Sequence, residues 1–146
     1  MMGAGSYYRG EYWSRPFPSW LQDSEVFIHL KEFYVVLVSA WLWGDAWRGR
    51  LVYIFCDNDA VVETLLKEKP KDTRMQELLR EFLYIVCVKG FRPVFRKIGS
   101  KANHEADFMS RVHSYEDIHT YSVKHNLPIR KPVEAPDHLF RLHSNW

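Results

Sequence analysis

Three carboxylates in this chain sit where their surroundings argue against an ordinary solvated acid: Glu32, Asp57 and Asp107. Glu32 interrupts IHLKEFYVVLVSAWLW, a run from Ile28 to Trp43 that is otherwise apolar nearly all round. Asp57 follows the short β-branched and aromatic run Leu51 to Cys56 and belongs to the phrase CDNDAVVETL. Asp107 lies in NHEADFMSR, one turn into a segment that reads as a helix. Burying a carboxylate is costly unless it has a partner. Acids from three separate elements could share one, a hard divalent cation such as Mg2+, which takes oxygen ligands and keeps several waters. Two such ions can clamp the attacking and leaving oxygens in phosphodiester cleavage.

Each acid also has a simpler reading. Asp57 is a good helix N-cap. Asp107 suits a helix start through the backbone dipole, and Glu32 could pair with a nearby Lys or Arg. Spacing by itself leaves both sets of readings open. The same holds for Arg92, Arg96, Lys97 and Lys101, on and after the run FRPVFRKI. They could meet nucleic-acid phosphates, or they could be the charges of a solvated edge strand.

The elements that must position these groups follow from hydrophobic period. GAGSYYRGEYWSRP, residues 3 to 16, reads as a hairpin turning at Arg9-Gly10, with Pro16 ending its second strand. A loop runs from there through Trp20 and Asp23, and then Ile28 to Trp43 makes a buried helix. Leu51 to Cys56, apolar on both faces, is expected as a central strand. A helix capped at Asp57 or Asn58 runs to about Lys67, where Pro70 breaks the pattern. The next helix, about Thr73 to Val88, carries the stripe Met75, Leu78, Leu79, Phe82 and Val86, and Gly90 stops it. Phe91 to Ile98 alternates as a strand, and its Pro93 argues for an edge or a bulge. A helix opening near Asn103 ends at about Ser110. Beyond that the character shifts to His, Pro and charge, with one helix at Tyr115 to His125. The order predicts a mixed α/β domain over residues 1–112 and a tail or linker over 113–146.

At 146 residues, with 47% hydrophobic and 16% aromatic content, the chain is long enough to bury a core and is not of disordered composition. A net charge of only +2 makes no case for nucleic acid, so any basic surface must be local. Cys56 and Cys87 both lie in apolar runs and read as buried free thiols. The scattered His and the absence of a CxxC pair exclude a zinc site. Trp41, Trp43 and Trp47 are expected in packing rather than as a stacking platform. No stretch is long and apolar enough for a bilayer, and no signal peptide is evident; an intracellular protein without a membrane partner is expected, in cytoplasm or nucleus.

The words around the three acids are more specific than their spacing. IHLKEFYVVLVSAW, VYIFCDNDAVVETL, ELLREFLYIVCVKGFRPVFRKI and NHEADFMSR, in that order over about residues 3 to 111, resemble the ribonuclease H domain of retroelement reverse transcriptases. The likeness is to DIRS-type retrotransposons that carry a tyrosine recombinase. It implies a ribonuclease H-like mixed sheet flanked by helices and two-metal cleavage, with Mg2+ or Mn2+, of RNA in RNA–DNA hybrids. Glu32, Asp57 and Asp107 fall on three of the family's four metal-binding carboxylates. The implied partners are the hybrid, an upstream polymerase and a downstream recombinase.

The chain departs from the family pattern in two places. The family's first strand carries the first catalytic Asp, and Met1 to Gly5 align just downstream of it. That first, central strand is therefore expected to be absent. Its loss would leave an unpaired edge on the hairpin and another on Leu51–Cys56, and would weaken both metal sites. The family also places a His ten residues before its final Asp, where this chain has Lys97. A Lys can hold a phosphate as a point charge, but it shuttles protons near neutral pH only if its pKa falls by several units. The expectation is an impaired ribonuclease H-type endonuclease, inactive or weakly active. A domesticated, non-catalytic nucleic-acid-binding module, a remnant without a role, and a transposase- or integrase-like relative are the alternatives.

Overall fold

The computed structural model describes residues 3–22, 28–56, 73–98, 115–124 and 131–140. In chain order its elements are β1 (Gly3–Tyr8), β2 (Glu11–Pro16), α1 (Ser19–Gln22), α2 (Ile28–Trp43), β3 (Leu51–Cys56), α3 (Thr73–Lys89), β4 (Arg92–Lys97), α4 (Tyr115–Lys124) and β5 (Lys131–Pro132). A 3-10 turn, Asp137–Phe140, follows. The chain is mixed α/β, and it divides into two compact units: Met1–Glu25 with Asn103–Trp146, and Val26–Ala102. The helices expected after Asp57 and Asn103 lie outside the described residues.

In the first unit β1 and β2 pair antiparallel from Gly3↔Pro16 to Tyr8↔Glu11. Arg9 and Gly10, at φ 44 and 83°, turn the hairpin in two residues that both have positive φ. This turn hand matches the right-handed twist of the strands it joins. β5 pairs parallel with the other side of β2, Glu11↔Lys131 and Tyr12↔Pro132. The Arg15 guanidinium donates to the Ala135 carbonyl at 2.9 Å, so residues 131–135 lie along the hairpin. Tyr12 and Ile118 are buried together, with Tyr7 against them, which seats α4 on the same core. A short helical turn, α1, occupies part of the expected loop, and its Leu21 amide donates to the Pro18 carbonyl.

The second unit is built around α2 and α3. Helix α2 is buried on nearly every face, as its unbroken apolar run requires. Helix α3 turns Met75, Leu78, Leu79, Phe82 and Ile85 inward, so Ile85 takes the place expected of Val86. Cys87 stands about 200° around the helix from Ile85 and is exposed, which corrects the reading of both cysteines as buried. Phe82 is the hub of the aromatic core: its ring lies 6.2 Å from Phe33, 6.3 Å from Phe91 and 5.5 Å from Phe95. Trp47 extends this group edge-on to Phe91 at 5.1 Å. Trp43 and Trp47 are buried, as expected of packing residues.

Gly90 ends α3 in the left-handed region, and its amide donates to the Val86 carbonyl at 2.9 Å. The chain then re-enters beside β3. Arg92 donates to the Arg50 carbonyl and Ile98 to the Cys56 carbonyl, and β4 runs parallel to β3 between them. Amides alternate sides along a strand, so Pro93, one residue from Arg92, has its missing N–H on the side away from β3. The proline thus costs the ladder no hydrogen bond.

Among the described residues the strands form two small sheets rather than one, in the orders β1-β2-β5 and β3-β4. β1 and β3 each have a single hydrogen-bonded neighbour there. The expectation for β3 needs correction. Val52 and Cys56 are buried, but Leu51, Tyr53 and Phe55 are 52, 54 and 59% exposed, so the strand buries one face and not two. Among the described residues no helix is long and apolar enough to cross a membrane.

Candidate metal and nucleic-acid site

Glu32 sits in the second turn of α2, half-buried among residues that are nearly all enclosed. Its carboxylate oxygen Oε2 lies 4.0 Å from the Cys56 sulfur, at the outer reach of a thiol–carboxylate hydrogen bond. Cys56 is the last residue of β3 and is buried. The only acid that sequence reasoning found in a buried helix is therefore brought to the carboxyl end of a strand that arrives 24 residues later. Asp57 is the next residue in the chain. Asp57, Asp107 and Lys101 lie outside the described residues.

β3 and β4 run parallel, so Cys56 and Lys97 share one end of the pair and face each other in register. Carboxyl ends of parallel strands are where α/β sheets characteristically build ligand sites, because the chain leaves the ladder there and side chains can converge. By the two-residue alternation Lys97 shares a face with the buried Phe95, as Cys56 does with Val52. The Glu32 carboxylate, the Cys56 thiol and the Lys97 strand position thus belong to the inward face and C-terminal end of this pair. A carboxylate beside a cation-bearing strand end can hold a divalent ion and balance a phosphate.

Arg92 and Arg96 belong elsewhere. They alternate with Phe95 and Lys97, so both stand on the outward face of β4, opposite Leu51 and Phe55 in register. The basic residues read as one set along FRPVFRKI are divided between two faces. The Arg96 guanidinium lies 6.0 Å from the Tyr53 ring centroid, within cation–π range.

Two residues escaped the sequence reading. Cys56 reads in the sequence as a packing thiol, and nothing local marks it as a neighbour of Glu32. Lys31 is 5% exposed, a buried cation next in sequence to the candidate acid. Its signal was available, since a helix that is apolar all round must bury whatever charge it contains.

The described residues fit a divalent cation to this extent: Glu32, a half-buried hard oxygen donor, is held at the end of β3. Among the described residues no three His, Cys, Asp or Glu side chains converge on one point. No known family, characterised protein or solved structure matches the chain.

Proposed function

We propose that this chain is a ribonuclease H-like domain whose carboxylates Glu32, Asp57 and Asp107 hold divalent metal for hydrolysis of RNA paired with DNA. The observation that carries the reading is the 4.0 Å approach of Glu32 Oε2 to Cys56, one residue ahead of Asp57. A helix acid is thereby brought to the carboxyl end of β3, and the residue that follows that end in the chain is Asp57. An acid of a distant helix brought to that strand end supports a shared metal, which a simple N-cap at Asp57 would not need.

In this reading Glu32, Asp57 and Asp107 would hold Mg2+ or Mn2+, and the bound ions would supply charge stabilisation to the attacking and leaving oxygens. The chain's own residues do the rest. Burial of the helix around Glu32 keeps its carboxylate in a defined place and limits competing water. Lys97, at the same strand end, offers a positive charge and hydrogen-bond donors to a substrate phosphate.

Cleavage of an end-labelled RNA–DNA hybrid in Mg2+ and in Mn2+, with Asp57→Asn as control, tests the proposal alongside metal titration. Saturable Mn2+ binding that Asp57→Asn and Glu32→Gln both weaken supports it, with or without turnover. Metal binding indifferent to both substitutions would sink it.

A further inference from the structure

We infer that the outward face of the β3–β4 pair is a binding surface for single-stranded nucleic acid, with bases stacked on Tyr53 and Phe55 and phosphates met by Arg92 and Arg96. The inference does not rest on the metal-site reading, because Cys56, and Glu32 of α2 beside it, lie on the opposite face of the pair.

Isolated exposed apolar side chains are ordinary, but a contiguous row on one sheet face marks an interaction surface. Here the row is Leu51, Tyr53 and Phe55, each more than half exposed. In register beside it run Arg92, Val94 and Arg96. The described residues of this face carry two guanidiniums and no carboxylate. A partner must therefore offer flat apolar groups to the rings and negative charge to the arginines. Single-stranded nucleic acid presents both, since each base has a π-face and each linkage a phosphate.

Geometry selects the single strand over a duplex. Tyr53 and Phe55 are two residues apart, about 6.6 Å along the strand. That is roughly twice the ~3.4 Å repeat of a stacked nucleic-acid strand, so each ring takes one base from an opened chain. A duplex hides its base faces and could meet only the arginines. The Arg96 guanidinium already leans towards the Tyr53 ring at 6.0 Å, which holds charge and platform together before any ligand arrives.

Two other occupants fit less well. A second copy using the same face would gather the guanidiniums of both copies in one interface, with no carboxylate among its described residues to pair them. An apolar protein segment would desolvate both guanidiniums without giving them a partner.

The test is fluorescence anisotropy with the full chain and labelled 12-mers of oligo-dT and oligo-U, against a blunt duplex of the same length. Tyr53→Ala and Phe55→Ala are each expected to weaken single-strand binding roughly tenfold to a hundredfold, with circular dichroism unchanged. Arg96→Gln should lower the slope of log affinity against log salt by about 0.7. Glu32→Gln should leave single-strand binding intact, which separates this surface from the metal site. Absence of single-strand binding, binding indifferent to both ring substitutions, or a duplex bound as tightly as the single strand would overturn the inference. So would a dimer, seen by sedimentation, that Phe55→Ala dissolves and oligonucleotide does not.

Discussion

The sulfur of Cys56 stands 4.0 Å from Oε2 of Glu32, which ties the last residue of β3 to the second turn of α2. A thiol is a weak donor, but a neighbour that orients a ligating carboxylate commonly governs metal affinity. For the proposed metal site, Cys56→Ala is therefore expected to lower Mn2+ affinity by about tenfold, whereas Cys56→Ser, which keeps a donor, should stay close to the parent. Calorimetric titration checks this. Equal affinities for all three chains would mean that the contact has no bearing on metal.

Phe82 touches Phe33, Phe91 and Phe95, so its removal empties the centre of the second unit. Phe82→Ala should cost about 3–5 kcal/mol in urea unfolding. Leu83→Ala, one residue on and 39% exposed, should change stability by no more than about 0.5 kcal/mol. If the two losses prove alike, the assigned inward face of α3 is incorrect.

Gly44 follows α2 where the chain passes close to α3. A methyl group there would run into the Ala40 carbonyl oxygen and lie 2.7 Å from Lys89 Cγ. Gly44→Ala should destabilise by about 1–3 kcal/mol, as overpacking does. Thermal melts of this chain against Gly49→Ala separate close approach from backbone strain. Position 49 has φ 73° and no neighbour within 4 Å, so there only the roughly 1–2 kcal/mol of left-handed backbone strain applies.

Burial holds the Tyr34 phenol well above its usual range, and the Glu81 carboxylate adds to the shift. Unfolding returns the phenol to a pKa of about 10. The folded state thus binds this proton more tightly, and its contribution to stability is complete below about pH 10 and lost as pH rises beyond that. The urea midpoint should fall more steeply between pH 10 and 11, on the order of one proton's worth, in the parent than in Tyr34→Phe. Parallel pH profiles would show that Tyr34 is not the group responsible.

Much of the local structure was legible in the residues. The bounds of α2 and β3, the Arg9-Gly10 turn and the stop at Gly90 were all signalled by short-range chemistry: apolar period, two-residue turn length and a glycine able to take positive φ. The site was legible only in part. Glu32 announced itself because a charge inside an apolar helix needs a reason. Nothing local could have paired it with Cys56, because that contact is made by two elements meeting in space. Asp57 and Asp107 kept their two readings for the same cause.

What the sequence by itself determined, then, was the type of each element and the residues that would be costly to leave unpartnered, since propensity and desolvation act within a few residues of the chain. What only the tertiary structure decided was which face of each element is covered. Leu51, Tyr53 and Phe55 read as core because an apolar strand has no internal mark of its exposed side. Pairing with β4 set Arg92 and Arg96 beside them and left that face open. Burial belongs to the assembled neighbours and not to the strand.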